Sequence, residues 1–254
     1  MNAVFDVAGV TKSFGGLIVN RDVSMRLAEG DRVALIGPNG AGKTTFVNLV
    51  TGHLAPDAGR ILLAGEDITH LDTVARVTRG LVRTFQVTRL FADMTPADHV
   101  VMTILRRTGK ATRILARFGG DSAANDEAYE ILAALGLGDA MRRKVGEIAY
   151  GQQRLVELAI ALAHRPKVLL LDEPAAGVAS SDVPRIEQAL ERLPPTLAVL
   201  MIDHDMDLVM RFARRVAVLV AGELVFDGAP ADVARDAQVR EAYLGSYGHA
   251  SRDA

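Results

Sequence analysis

Apolar residues run unbroken through Val168-Leu169-Leu170-Leu171 and again from 197 to 202. Short continuous runs of this kind mark strands buried on both faces of a parallel sheet. Arg32-Val33-Ala34-Leu35-Ile36 is a third, flanked by the turn Glu29-Gly30-Asp31. Residues 4–10 alternate weakly and 23–27 read as another strand, with Phe14-Gly15-Gly16 as a turn between them. After the turn Pro56-Asp57-Ala58-Gly59 come a strand at 60–64, a short helix at 73–79 and a strand at 81–85. The period then changes. From 95 to 163 apolar residues recur at helical spacing, and the best helices are 97–106, 126–135 and 152–163. Beyond Arg165-Pro166 strands and helices alternate again, with helices at 182–193 and 206–214 and a hairpin of 216–220 with 223–226 around Ala221-Gly222. The pattern predicts an α/β fold with a mainly parallel sheet, an N-terminal antiparallel β region and an inserted helical subdomain. The core is expected over 1–86 and 165–254, the helical subdomain over 87–164.

Composition narrows the function. With 49% apolar residues among 254, the chain can bury a sizeable core. It carries 29 basic and 31 acidic residues, so its net charge of −2 gives no pull toward nucleic acid, and none is expected as a partner. The absence of cysteine excludes disulfides and thiolate chemistry. No apolar run approaches the roughly 18 residues that span a bilayer, and the first residues carry no secretory signal pattern, so a membrane role would be peripheral. Arg106, Arg107, Lys110, Arg113 and Arg117 form a basic run that reads first as a solvated helical face and second as a contact for lipid headgroups or a permease loop.

The candidate chemistry sits at two strand ends. Gly37-Pro38-Asn39-Gly40-Ala41-Gly42-Lys43-Thr44-Thr45 fills the pattern G-x-x-x-x-G-K-[ST] between the strand at 32–36 and a helical stretch. In that setting successive backbone N–H groups converge on an anion, Lys43 faces the β- and γ-phosphates, and the Thr44 hydroxyl is offered to Mg²⁺. The run 168–171 ends in Asp172-Glu173-Pro174. Strand ends of parallel sheets are ligand sites. Asp172 is placed to hold Mg²⁺ and Glu173 to polarise an attacking water.

The phosphate loop, Gln86, Tyr150-Gly151-Gln152-Gln153, Leu171-Asp172-Glu173-Pro174 and His204 follow one another as in ABC-type ATPase subunits, and the chain resembles that family over essentially its whole length. The resemblance implies a P-loop NTPase core and ATP hydrolysis with ATP and Mg²⁺. It implies that Gln86 senses Mg²⁺ and the attacking water, that His204 contacts the γ-phosphate, and that Phe14 stacks on adenine. Ala149, Tyr150, Gly151 and Gln152 occupy the place of the family signature; Ala149 stands where a serine is common and Tyr150 where a glycine is. That segment is expected to serve ATP held by an opposite subunit, so the implied unit is two ATPase subunits, alike or different, with integral-membrane permease subunits on the cytoplasmic face of the cell membrane. Ala179 stands where an Asp or Asn is usual, which puts communication across that dimer in doubt and favours two different subunits. Arg83-Thr84-Phe85-Gln86 and Ala242-Tyr243-Leu244-Gly245, among other segments, look like the larger ATPase of branched-chain amino acid importers. The alternatives are ATPases for urea or amide import, for lipopolysaccharide export, or non-transport ABC ATPases. The last lack support: there are no sustained heptads and there is only one phosphate loop. A permease loop is expected to dock on Val87, Leu90, Phe91 and Met94.

Overall fold

The computed structural model describes residues 3–84, 90–110 and 121–242. Gln86, Val87, Arg113, Arg117 and the segment from Tyr243 onward, named above, lie outside the described residues. Strands β1 (Phe5–Phe14), β2 (Leu17–Leu27), β4 (Ala58–Leu63) and β5 (Glu66–Asp67) form an antiparallel sheet in the order β2-β1-β4-β5. A second sheet contains β3 (Arg32–Ile36), β6 (Leu81–Arg83), β7 (Val168–Asp172), β8 (Ala198–Ile202), β9 (Arg215–Val220) and β10 (Glu223–Gly228). Its order is β10-β9-β3-β8-β7-β6; β10 alone is antiparallel.

The unbroken apolar runs are the centre of this second sheet. Along β7 and β8 successive side chains point to opposite faces. Leu169, Leu171, Val199 and Met201 belong to one apolar cluster, which also holds the buried faces of α3 (Pro96–Arg107), α4 (Ser122–Ala134), α5 (Tyr150–Ala163) and α6 (Val183–Glu191). Val168, Leu170, Ala198 and Leu200 belong to the other, with α1 (Lys43–Thr51) and the antiparallel sheet. A smaller cluster packs α7 (Met206–Phe212) and α8 (Pro230–Val233) against β3 and β9. No helix among the described residues is long and apolar enough to cross a membrane.

Boundaries moved where caps or edges, not periodicity, decide them. α4 begins four residues ahead of the expected 126, because Asp121 accepts the N–H of Ala124 and starts the helix there. α3 begins at Pro96, locked by a reciprocal box in which Thr95 Oγ1 accepts from the Asp98 N–H and Asp98 accepts from the Thr95 N–H. β2 starts at Leu17 rather than 23. Its first turn-side residues, Leu17 and Ile18, are exposed, so no alternation betrays them. β5 and α8 are too short to show a period. Of the basic run, Arg107 pairs with Glu127 at 2.7 Å and Lys110 with Asp121 at 2.6 Å, in keeping with a helical face that pairs within the chain.

Arg76 is the one fully buried guanidinium among the largest buried side chains of the described residues. From α2 (Thr73–Arg79) it donates to the carbonyls of Leu49 and Val50 in the last turn of α1, and to those of Thr69 and Leu71, at 2.7–2.9 Å. It thus satisfies the Val50 carbonyl at the helix end and gives that of Leu49, which the Gly52 N–H also reaches at 3.3 Å, a second donor. Burial pulls its pKa down to about 10, with Asp67 opposing, so it stays charged at neutral pH. Replacing Arg76 by Met should strand these buried carbonyls and cost about 3 kcal/mol or more. Thermal unfolding should show this as a drop of roughly 6–12 °C; a drop under about 2 °C would mean that the guanidinium does not brace α1.

Candidate functional site

The site lies where the carboxyl ends of β3, β7 and β8 meet the start of α1. β3 leads into the loop 37–42, and Gly42 caps α1 in a left-handed conformation (φ 100°). A Cβ there would sit 2.6 Å from the Val19 carbonyl oxygen and 2.8 Å from Asn20 Nδ2, so only glycine fits. At Gly37 a Cβ would fall 2.1 Å from the Leu219 carbonyl oxygen. The loop is therefore pressed against β2 and β9 by its backbone. The Gly222 N–H donates to the Ala41 carbonyl and the Arg21 N–H to that of Gly222, which stitches loop, hairpin and β2 together.

The first intrahelical bond runs from the Phe46 N–H to the Gly42 carbonyl. Helix geometry leaves the N–H groups of Lys43, Thr44 and Thr45 without intrahelical acceptors, and no side chain caps this end. Uncapped amides at the positive end of a helix favour an anion. Lys43 Nζ folds back onto the carbonyls of Gly37 and Pro38 at 2.6 and 3.0 Å. Burial lowers its pKa, and the nearby charge of Glu173 works the other way. Asn39 and Gly40 on the loop and Thr44 in the first turn of α1 are exposed.

Across the sheet, β7 ends at Asp172, and Glu173 follows with φ 47°, an uncommon region for a residue with a side chain. Its N–H still bonds the Ile202 carbonyl at 2.9 Å, so the turn is held by the β8 ladder. His204 follows β8, and its Nδ1 lies 3.3 Å from Glu173 Oε1. Asp203 between them is buried and accepts the N–H groups of His204 and Asp205 at 2.7 and 3.0 Å. Burial raises the Asp203 pKa against those two bonds. Its carboxyl shapes the turn that presents His204. The sequence reading passed over it because an acid beside an exposed His looks like surface.

Asp172 Oδ2 accepts from Arg83 Nη2 at 2.5 Å, and Arg83 Nη1 donates to Asn48 Oδ1 on α1 at 3.0 Å. Neither Arg83 nor Asn48 was singled out from sequence as a site residue. Asn20, fully buried, donates to the Gly42 carbonyl at 3.4 Å and was likewise missed. For Arg83 and Asn20 the available signal was a polar side chain within a strand; Asn48 sits on α1 among apolar neighbours.

The fold does not bring every expected residue to this cleft. The start of α5 borders the loop after Glu173. A Cβ on Gly177 would lie 3.4 Å from Tyr150 Cε1, and one on Gly151 would lie 2.9 Å from Asp182 Cβ. Ala149 and Tyr150 are exposed there, and Gln152 accepts from the Ala149 N–H at 3.2 Å. Phe14 is exposed at the β1–β2 turn, with Lys12 Nζ 5.7 Å from its ring centre. Gln86 lies outside the described residues.

For a cation, the cleft offers the Thr44 hydroxyl and the Asp172 carboxylate. No group of three or more His, Cys, Asp or Glu side chains gathers for a metal among the described residues. Two hard oxygen donors suit Mg²⁺, which completes its shell with water and the phosphates it accompanies. Donor chemistry and the uncapped amides thus fit a magnesium–nucleotide complex.

The ABC transporter family profile matches residues 20–176, and that of the branched-chain amino acid ATP-binding cassette transporter matches 223–249. The chain is 36% identical over 251 residues to the high-affinity branched-chain amino acid transport ATP-binding protein BraF of Pseudomonas aeruginosa, covering 95% of this chain and 98% of BraF. It is 34% identical over 249 residues to LivG of Escherichia coli, of the same description, covering 95% and 98%. The lipopolysaccharide export ATP-binding protein LptB of Escherichia coli is 32% identical over 245 residues, with 96% and 98% covered. Among solved structures, the ADP conformation of MJ1267, an ATP-binding cassette of an ABC transporter, superposes with a TM-score of 0.83 at 30% identity, covering 96% of this chain and 100% of MJ1267.

Lys43 contacts only loop carbonyls that can turn to water. Its replacement by Ala should leave the melting temperature of the nucleotide-free chain within about 2 °C of wild type, the usual size of a surface change. The same variant should lose the rise in melting temperature that ATP produces in the wild type. An undiminished rise would remove Lys43 from the binding site.

Proposed function

We propose that this chain, which belongs to the ABC transporter family as an ATP-binding subunit, hydrolyses ATP with Mg²⁺ to drive import of branched-chain amino acids through permease subunits on whose cytoplasmic face it docks. The observation that carries the hydrolytic part is the pairing of Glu173 and His204 at 3.3 Å, at the end of two parallel strands and within electrostatic reach of Lys43. The substrate class rests on BraF and LivG and on the profile match at 223–249. The 32% identity to LptB supports lipopolysaccharide export as the second reading.

In this reading the amides of 43–45 take the phosphate oxygens. Lys43 leaves the Gly37 and Pro38 carbonyls to meet the β- and γ-phosphates. Mg²⁺, held by Thr44 and Asp172, supplies charge neutralisation of the triphosphate. Glu173 accepts a proton from the water that attacks the γ-phosphorus in line as the bond to the β–γ bridging oxygen breaks and ADP leaves, and His204 donates a hydrogen bond to the γ-phosphate. Gln86 belongs to the same site as sensor of metal and water, and Phe14 takes adenine on its exposed ring. Residues 87–164 act as a helical subdomain. The start of α5, turned to the loop after Glu173, serves the nucleotide of an opposite subunit. The amides of Tyr150, Gly151 and Gln152 precede the first intrahelical bond, from the Gln153 N–H to the Ala149 carbonyl, and offer the donors.

Permease docking falls to the stretch before α3. Phe91 is 65% exposed, so it is not core. Its ring stacks on His99 with centroids 5.9 Å apart, and its N–H donates to His99 Nε2 at 3.0 Å. Leu90 packs on the helical cluster instead, and Met94 is half-buried.

Two outcomes check this reading. Glu173→Gln should bind ATP and slow steady-state hydrolysis by about 10²–10⁴-fold, and ATP should drive the variant to a dimer in size-exclusion chromatography. Dimerisation that needs a second, different ATPase identifies a heterodimer, the pairing Ala179 favours; wild-type turnover in Glu173→Gln removes Glu173 as the base. Phe91→Ala should leave melting temperature and ATP binding within error of wild type, and lower permease-stimulated hydrolysis several-fold. A large fall in melting temperature with coupling intact would place the docking surface elsewhere.

A further inference from the structure

Arg83 has no part in the mechanism above, yet it is bonded to a residue that does. It ends β6, opposite Leu170 of β7. The Thr84 N–H bonds the Leu170 carbonyl at 2.9 Å, and Thr84 Oγ1 accepts from the Asp172 N–H at 3.4 Å, so the ends of β6 and β7 are tied together. From this anchored position Arg83 reaches Asp172 with one guanidinium nitrogen and Asn48 of α1 with another. The side chains of Arg83 and Asp172 are only 14% and 15% exposed. At that depth each group has the other as its partner in place of most of its water. The far side of Arg83 lines a cavity of about 260 Å³ between α2 and α5, which Leu90, His53 and His164 also border.

We propose that Arg83 is the resident counter-ion of Asp172: it holds Oδ2 of the metal-binding carboxylate in the nucleotide-free chain and keeps its charge beside the site when Mg²⁺ arrives with nucleotide. The inference rests on the assignment of Asp172 to the metal. Three features support it. The bond takes Oδ2, which leaves Oδ1 for another partner. The Asn48 contact fixes the guanidinium from the α1 side, so it cannot swing away with the carboxylate. A unit positive charge a few ångström from an incoming divalent cation opposes that cation, which keeps the site from filling until the phosphates contribute their own charge. Arg83 is thus a positioning residue whose charge sets how much free Mg²⁺ the site requires. It also forms a wall of the cavity on the side from which docking is proposed.

The test is the free Mg²⁺ concentration that gives half of the ATP-induced rise in melting temperature, measured on the full chain with ATP held constant. Arg83→Met should melt lower than wild type without metal, because Asp172 is left unpaired. It should also need about tenfold less Mg²⁺, the scale of one unit charge removed at this range. Arg83→Gln, which keeps a hydrogen-bond donor, should show the same shift if Arg83→Met folds poorly. Arg83→Lys keeps the charge and should stay within about threefold of wild type. An unchanged Mg²⁺ requirement in both neutral variants would reduce Arg83 to a structural brace and overturn the proposal. A raised requirement would overturn it as well, because the guanidinium would then be helping the metal. If the wild-type chain itself shows no Mg²⁺-dependent rise with ATP, the assignment of Asp172 fails first and the counter-ion role falls with it.

Discussion

The parallel register of β3, β8 and β7 is the constraint on which the site depends. Ala34 pairs with Met201, Leu171 with Met201 and Asp172 with Ile202, so all three strands end together at one edge. A slip of one residue would exchange the two faces of each strand. Leu169 and Leu171 would then leave the helical cluster for the side of α1, and Val168 and Leu170 would do the reverse. Burial on both faces thus fixes the register, and the register sets Glu173 beside His204 and Asp172 within reach of Arg83.

At that edge the structure gathers charge it cannot solvate well. Lys43 is partly desolvated and Asp203 is buried against its tendency to ionise. Arg83 and Asp172 are nearly enclosed. Each has a protein partner in place of water. Lys43 rests on two carbonyls, Asp203 on two amides, and Arg83 and Asp172 on each other. Such bonds stand in for water in the ligand-free chain while leaving the groups aimed at the cleft, ready to exchange a protein partner for a phosphate oxygen or a cation. The left-handed Glu173 belongs to the same economy of strain. A conformation that costs about 1–3 kcal/mol persists because the β8 ladder over-determines it.

Much of this was legible in the chain. The runs 168–171 and 197–202 predicted two-sided burial because no polar residue interrupts them, and the glycine loop predicted its own strand-to-helix context. Helix ends were less legible where a single cap decides them, as at Asp121, and β2 was cut short because its outer residues face solvent and carry no alternation. The second layer of the site was not read at all. Arg83, Asn48, Asn20 and Asp203 act through partners 22 to 89 residues distant or through a tight turn, and sequence spacing says nothing about such pairs. Arg83 was visible only as part of a family resemblance, without a physical task.

The substitutions at the start of α5 bear on how two such subunits would share a nucleotide. A serine at 149 could offer its hydroxyl to a phosphate; alanine cannot. The side chain of Gln152 already takes the Ala149 N–H, so that amide is spoken for too. What remains are the backbone donors of Tyr150, Gly151 and Gln152, which bind an anion by position and helix polarity. Tyr150 adds bulk; the Arg154 guanidinium lies 5.3 Å from its ring centre, and a Cβ on Gly177 would come within 3.4 Å of its Cε1. Gly177 lies in the loop that follows Glu173. Arg154 itself donates to the Ala176 carbonyl at 3.4 Å, so the first turns of α5 are tied to the loop after Glu173 by a hydrogen bond as well as by the ring of Tyr150.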